Sequence, residues 1–224
     1  MKKSIKILLV VLGILLLVAA AVFLFWHFGT QSGQIGDSVY YTYVRPTRTV
    51  YIHGQGDMWD YWCGRSDGGT FDPAEPTRFG VQRMSPLTYY FADRVRRVVV
   101  MDGVTFLSAN FLTDSPTLEA VYLSETVERI SIEAFPASLS NLKEVHFQGN
   151  CPQSHPMLGQ DLKNGVILPA GVFGGGHFSD DWGLQEDGSI LSPVIYYQPG
   201  TTGWDDPAWD GFQLIEQKYH VNWG

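Results

Sequence analysis

The sequence predicts a mainly β fold with short helices, in which a short repeat solenoid with β-rich caps is preceded by one transmembrane helix. Three observations lead to this prediction. A long apolar run lies near the amino terminus, valine-rich strand signals recur at a nearly constant spacing in the middle, and segments rich in Gly, Asp and aromatic residues flank those signals. Helical periodicity is scarce, which favours β structure outside the apolar run.

The apolar run predicts a membrane anchor. Ile7–Trp26 contains no charged residue, and about 20 residues at a rise of about 1.5 Å each span a hydrocarbon core of about 30 Å. Lys2, Lys3 and Lys6 precede the run, and no Lys or Arg follows it until Arg45. The positive-inside rule then predicts a cytoplasmic tail at 1–6, a transmembrane anchor (or uncleaved signal) at 7–27, and an extracellular carboxy-terminal domain. We expect a single-pass protein of the cell membrane.

A cleaved signal peptide is the alternative, because Ala19-Ala20-Ala21 could supply a cleavage site. Cleavage there would leave the apolar segment 22–26 as the new terminus, and the run is longer than the ~7–15 residues of a usual signal peptide. The uncleaved anchor is therefore favoured.

Charge and cysteine content limit the partners. Three of the 15 basic residues lie in the first 29 positions, which leaves twelve against 23 acidic residues, a net charge of −11. This balance argues against nucleic acid and against an anionic membrane surface as partners. Cys63 and Cys151 could form one disulfide, worth roughly 4 kcal/mol in the entropy model, or could be two buried thiols, and the sequence leaves both possibilities open.

The segments around the repeats predict a linker and two caps. We expect a linker at 28–47, built on the polar stretch Gln31–Asp37, and an N-terminal cap at 48–94 with a strand at 48–52 and a short helix at 86–94. A C-terminal cap at 152–224 should begin with a loop at 151–165 and contain strands at 166–168, 192–197 and 212–216. One-turn helices are predicted at 109–114 and 131–137.

The repeats occupy 95–151. Strand signals of the form L-x-x-V-x-L begin at Val95, Leu118 and Leu142, at offsets of 23 and 24 residues. The apolar ladder Val104, Leu107, Leu112 also recurs 23 residues later as Val127, Ile130 and Phe135. A period of roughly 20–29 residues with this strand pattern is typical of a leucine-rich-repeat solenoid, which usually binds partners and seldom catalyses.

Three stretches of the chain resemble BspA-like bacterial cell-surface leucine-rich-repeat proteins. Val127-x2-Ile130-x3-Ala134-Phe135 is similar to the family's V-x-x-I-G-x-x-A-F core, with Ser108 and Ser131 standing where the family has Gly. The stretch 50–61 resembles the unit that often precedes the first repeat, and 195–204 resembles the Y-Y-x-P-G-T-x-G-W segment that often closes the array. The resemblance covers about residues 49–211. It implies an extracellular recognition or adhesion module with no catalytic residues and no named ligand.

Alternation along each repeat strand predicts a binding face. Alternate side chains of a strand point to opposite faces, so we expect the core to receive Val98, Val100, Val121, Leu123, Val145 and Phe147. The open face should carry three rows: Arg97, Ala120 and Glu144; then Val99, Tyr122 and His146; then Met101, Ser124 and Gln148. Tyr122 beside His146 is the predicted anchor of a binding site on this face, because aromatic side chains dominate interface energetics. An ordinary solvated sheet face is the alternative.

Other signals for chemistry are weaker. Trp59, Tyr61, Trp62, Trp204 and Trp209 lie near aspartates, which could indicate a sugar site, but such rings more often cap an apolar core. The paired acids 180–181, 186–187 and 205–206 match neither a glycosidase pair nor an EF-hand, and His146, Cys151 and His155 match no zinc spacing. We therefore expect no catalytic residues, no metal and no cofactor.

The sequence thus predicts a non-catalytic extracellular recognition or adhesion module that is anchored in the bacterial membrane and binds a protein or glycan on a cell surface. A structural or assembly partner of an envelope protein complex is the alternative, and a carbohydrate-active enzyme is a less favoured third.

Overall fold

The computed structural model describes residues 2–59, 61, 85–113, 115–131, 134–135, 139, 141–155, 193–205 and 212–218. Within these residues the protein is mainly β, with one long and one short helix. The elements are α1 Lys2–Gly29, β1 Thr30–Gln34, β2 Val39–Val44, β3 Thr49–Gly54, β4 Gly56–Asp57, α2 Pro86–Phe91, β5 Arg97–Val100, β6 Val104–Leu107, β7 Ala120–Leu123, β8 Arg129–Ser131, β9 Glu144–Phe147, β10 Gln153–His155, β11 Val194–Tyr197 and β12 Leu214–Glu216.

Helix α1 contains the predicted apolar run. Lys6–Phe25 has a mean hydropathy of 3.3, and its large apolar side chains are exposed to the surroundings. Within the described residues it is long and apolar enough to cross a membrane, a property that an amino-terminal signal sequence shares.

The strands form two sheets between which the chain alternates. The first sheet has eight strands in the order β1-β2-β3-β5-β7-β9-β11-β12, and the second has four in the order β10-β8-β6-β4. From β3 to β11, successive strands belong to the first and second sheet in turn, and their neighbours within each sheet are parallel. Each segment of about 23 residues therefore adds one strand to each sheet.

The core lies on the inner face of the first sheet and agrees with the predicted alternation. Side chains at one strand position are fully buried in five consecutive parallel strands: Val50, Val98, Val121, Val145 and Ile195. The apolar ladder of the connecting segments is buried as well: Val104, Leu107, Leu112, Val127, Ile130 and Phe135. The repeat thus supplies one set of apolar residues per segment, and the neighbouring segments bury it.

Residues 28–47 differ from the expected linker. Instead, β1 and β2 form an antiparallel hairpin that extends the first sheet through β3. The ring of Tyr41 lies over Gly33, its partner across the hairpin, where a Cβ would come within 2.6 Å of the ring. The polar composition of β1 suggested a linker, but its backbone pairs with β2 because alternate residues of β2 bury Val39, Tyr41 and Tyr43.

Several shorter elements also differ from expectation. Residues 109–113 form turns and bends and not the predicted one-turn helix, and Ser131 ends strand β8. Strand β10 lies within the predicted loop 151–165. The helix predicted at 86–94 is present as α2, whose N-cap Ser85 accepts a hydrogen bond from the Leu87 amide at 3.1 Å. The strands predicted at 48–52, 192–197 and 212–216 are present as β3, β11 and β12.

Some sequence predictions fall outside the described residues. They are the strand at 166–168, most of the helix at 131–137, and Cys63, so the proposed disulfide with Cys151 stays a prediction. Trp62, Trp209 and the acids at 180–181, 186–187 and 206 also lie outside.

Candidate binding face of the eight-stranded sheet

The predicted rows are in register across the first sheet. Ala120 pairs with Arg97 on one side and Glu144 on the other, and Tyr122 pairs with Val99 and His146. The third row lies just beyond the strand ends. Its alignment is fixed by backbone hydrogen bonds from Met101 to Ile52, from Ser124 to Val100, and from Gln148 to Leu123, with lengths of 2.8, 3.1 and 3.0 Å.

The middle row forms a continuous aromatic stack. The ring of His146 lies 4.6 Å from that of Tyr122, at an interplanar angle of 16°. Its other face lies 4.5 Å from the ring of Tyr196, at 6°. The spacing follows from the sheet itself, since neighbouring strands lie about 4.7–4.9 Å apart. Three rings in register on consecutive strands β7, β9 and β11 therefore make a stack that the backbone holds in place.

Glu144 places a carboxylate beside this stack. Its Oε2 lies 3.4 Å from His146 Nε2, and its Oε1 accepts a hydrogen bond from the Tyr122 hydroxyl at 3.4 Å. Burial disfavours the charged imidazolium and outweighs the attraction of the nearby carboxylate, so the pKa of His146 is lowered from its ordinary value. Near neutral pH the stack is thus an uncharged imidazole between two phenols, with an anionic group at its edge.

The exposure of the row members differs from expectation. His146, Val99 and Ser124 were predicted to project from the open face, but they are 6%, 6% and 2% exposed. His146 is covered because tyrosines flank it on both sides, and the Ser124 hydroxyl is turned toward Thr126 Oγ1 at 3.0 Å. Arg97 is exposed, while Met101, Tyr122, Glu144 and Gln148 are half-buried. A ligand on this face would meet the tyrosine edges and Glu144 before it met the histidine.

Sequence reasoning missed two aromatic members of the middle row. Tyr51 on β3 pairs with Val99, and Tyr196 on β11 pairs with His146. Both lie outside the repeat offsets, since 51 is 48 positions before 99 and 196 is 50 positions after 146. The available signal was the alternation within T-V-Y-I and V-I-Y-Y, which places each tyrosine opposite the core face.

The flanking aromatic residues act mainly in packing. Trp204 is 6% exposed, its ring lies 4.9 Å from that of Phe147 and 5.2 Å from that of Tyr197, and it belongs to the core. Tyr61 is fully buried, and the Trp59 indole N–H donates to Asp37 Oδ1 at 2.9 Å. These contacts match the interpretation of the rings as covers of the apolar core.

Asp57, one of the acids considered for sugar chemistry, is held by neighbours on the second sheet. Its Oδ1 accepts a 2.6 Å hydrogen bond from the Thr105 hydroxyl, and its Oδ2 lies 2.6 Å from Arg129 Nη2. The Arg129 guanidinium also lies 5.1 Å above the ring of Phe106. A carboxylate engaged in this way stabilises the packing of β4, β6 and β8.

Within the part of the chain that the structure describes, no group of three His, Cys, Asp or Glu side chains is arranged to hold a metal ion.

No family model matches the chain, and neither does any curated protein. Among solved structures, it is similar to the crystal structure of a leucine-rich repeat protein from Eubacterium ventriosum, with 17% sequence identity and a TM-score of 0.35. The alignment covers 55% of this chain and 32% of that protein, so the chain spans about a third of the length of the protein that it matches. A likeness at this level does not establish a family.

Proposed function

We propose that this protein is a non-catalytic recognition module, a BspA-like extracellular adhesin held in the bacterial membrane by α1, and that its binding surface is the open face of the eight-stranded sheet. The observation that supports this most is the stack of Tyr122, His146 and Tyr196. The two sheets between which the chain alternates serve as a short solenoid that keeps this row rigid.

The face suits recognition of a protein or glycan surface. Tyrosine side chains present large apolar area and a hydroxyl at low entropic cost, which is why they are enriched where binding energy is concentrated. Here their orientation is set by strand register, and Glu144 adds an acceptor beside the rings. A partner that carries apolar or ring surfaces next to hydrogen-bond donors, such as a sugar or an Arg-bearing protein loop, would complement this arrangement.

Binding of the full-length chain in detergent micelles to a panel of host matrix proteins, mucins and glycans tests the proposal. The variant Tyr122→Ala/His146→Ala removes two of the three stacked rings, and Tyr89→Ala/Tyr90→Ala removes two exposed rings from α2 as a matched control. We expect saturable binding that falls at least tenfold in the first variant and is unchanged in the second. Equal binding by the first variant and the unmodified chain would place the site elsewhere, and no binding to any panel member would reject the adhesin.

A second candidate is an assembly partner of an envelope protein complex, and the junction between α1 and β1 favours it. Helix α1 ends at Gly29, β1 begins at Thr30, and the Arg45 amide donates to the Gly29 carbonyl at 2.8 Å. No stalk raises the sheet above the helix, whereas an adhesin generally benefits from one. A partner in the same membrane would be within direct reach of the open face.

Purification of the tagged full-length chain from its own membrane in a mild detergent would separate the two candidates. An assembly partner should retain defined membrane proteins in stoichiometric amounts, and the Tyr122→Ala/His146→Ala variant should lose them while Tyr89→Ala/Tyr90→Ala keeps them. Recovery of the chain alone, together with binding to the extracellular panel, would favour the adhesin.

A further inference from the structure

The end of the first sheet at which α1 enters forms a continuous rim. Thr30 pairs with Val44, Val44 with Thr49, and Thr49 with Arg97, so the starts of β1, β3 and β5 and the end of β2 lie at the same edge. The parallel strands β7 and β9 begin at this edge as well.

Backbone hydrogen bonds connect the residues of the rim one after another. The amide of Arg96 donates to the Arg48 carbonyl, that of Glu119 to Arg96, and that of Lys143 to Glu119, at 2.8, 2.9 and 2.9 Å. The Arg45 amide donates to Gly29 at the end of α1. The rim is therefore joined to the helix exit through the backbone.

The rim gathers half of the basic residues that follow α1. Six of those twelve lie there, namely Arg45, Arg48, Arg94, Arg96, Arg97 and Lys143, and all six are exposed. The acids at this edge are Asp93, Glu119 and Glu144. Among the described residues, the rim's ion pairs involve Arg94, Arg96 and Lys143, so the charges of Arg45, Arg48 and Arg97 are not neutralised there.

The opposite end of the sheet is acidic. Exposed Asp37, Asp102 and Glu125 follow the far ends of β1, β5 and β7, and Lys218 is a basic residue beyond β12. The net charge of −11 after residue 29 thus conceals a polar distribution in which positive charge lies on the side of α1. An average over the sequence suggested repulsion from anionic membranes, but the nearest face has the opposite sign.

The height of the rim matches the lipid headgroups if α1 spans a bilayer. Phe25 ends the apolar span, and four further helical residues to Gly29 rise about 6 Å. The headgroup layer on each side of the hydrocarbon core is about 5–8 Å thick. Basic side chains at that level interact with anionic headgroups, each contributing about fivefold in affinity, the equivalent of about 1 kcal/mol.

We propose that the rim of Arg45, Arg48, Arg94, Arg96, Arg97 and Lys143 binds the anionic phospholipid headgroups of the leaflet in which α1 ends, and so holds the open face of the sheet in a fixed orientation to the membrane. This inference rests on the proposed anchoring through α1. It adds a second membrane contact that the anchor alone does not provide.

Reconstitution of the full-length chain in nanodiscs tests the contact. One set contains neutral phosphatidylcholine, and the other contains about 30% phosphatidylglycerol. Amide hydrogen exchange of the segments 45–48 and 93–97 reports contact, and the triple variant Arg45→Gln/Arg97→Gln/Lys143→Gln removes three charges while it keeps the Arg96–Glu119 pair. Lys143→Gln and Lys218→Gln form a matched pair, because each removes one exposed lysine from opposite ends of the sheet.

We expect exchange at the rim to slow at least fivefold in the anionic discs, with the difference lost in 0.5 M salt and in the triple variant. Lys143→Gln should weaken the effect and Lys218→Gln should not. Equal exchange in the two lipids, or an effect that the triple variant retains, would overturn the proposal.

The anchor is assessed separately. A chain that carbonate extraction releases from discs of both compositions would show that α1 does not anchor it. The rim is then decided by cosedimentation with vesicles, where binding to anionic but not to neutral vesicles supports it and equal binding, or none, rejects it.

Discussion

Two serines at equivalent repeat positions make the most informative test of the packing. Ser108 and Ser131 are separated by one repeat of 23 residues and are both fully buried. Among the described residues, neither hydroxyl has a hydrogen-bond partner. Replacement of each by Ala should therefore stabilise the protein, contrary to the usual effect of a core substitution.

The expected gain is the difference between two terms. A buried hydroxyl without a partner costs about 1–3 kcal/mol, and the space left by one oxygen costs less than the ~1 kcal/mol of a methyl-sized void. Each substitution should thus raise the free energy of unfolding by about 1 kcal/mol. For a domain of this size, ~1 kcal/mol corresponds to an increase in Tm of about 2–4 °C.

Ser115 supplies a matched control. It is fully buried like the other two, but its hydroxyl donates to the Ala92 carbonyl at 2.5 Å. Ser115→Ala removes that hydrogen bond and should lower the free energy of unfolding by about 1–2 kcal/mol. The three variants have the same change in composition and differ only in the partner of the lost hydroxyl.

Urea unfolding of the full-length chain in detergent micelles, followed by circular dichroism, measures the effect. We expect the midpoints for Ser108→Ala and Ser131→Ala to lie above that of the unmodified chain and the midpoint for Ser115→Ala below it. A lower midpoint for either of the first two would refute the reasoning and show that the hydroxyl is satisfied in solution.

Three further predictions concern the ends of the core, the second sheet and the stack. Trp204→Ala should lower the free energy of unfolding by about 3–5 kcal/mol, because the ring packs on Phe147 and Tyr197; loss of less than about 1 kcal/mol in thermal unfolding would contradict its role in the core. Asp57→Asn should destabilise the chain by about 1–2 kcal/mol through Thr105 and Arg129 and have no effect on panel binding; a loss of binding at unchanged stability would assign the site to this acid. Because the pKa of His146 is lowered on folding, its contribution is complete above the unfolded pKa of about 6.5 and is lost as pH falls through the lower folded value, so unfolding midpoints should drop between pH 7 and pH 5 more steeply than in a His146→Phe variant; identical slopes would show that another group titrates.

The candidate site was predictable where the chain repeats. Offsets of 23 and 24 residues fix which side chains share a row, and alternation along each strand fixes the face, so Tyr122 and His146 could be paired from sequence. Tyr196 could not be added to the row, because the segment between β9 and β11 breaks the period and only backbone pairing sets its register.

The burial of His146 was not predictable for the same reason. Alternation places it on the open face, but its 6% exposure depends on a ring from each neighbouring strand. Exposure on a sheet face is decided by the size of the side chains in adjacent strands, which one strand's pattern does not contain.

The sequence by itself determined the apolar helix, the repeat strands and the residues that they bury, because these depend on local patterns of period 1 to 2 and on an offset that recurs. Only the tertiary structure decided that 30–44 forms a hairpin on the sheet, since the pairing of a polar strand is specified by its neighbour β2 and not by its own composition. Only the tertiary structure brought basic residues from separate segments to one rim beside α1, because charges far apart in sequence become neighbours through strand register.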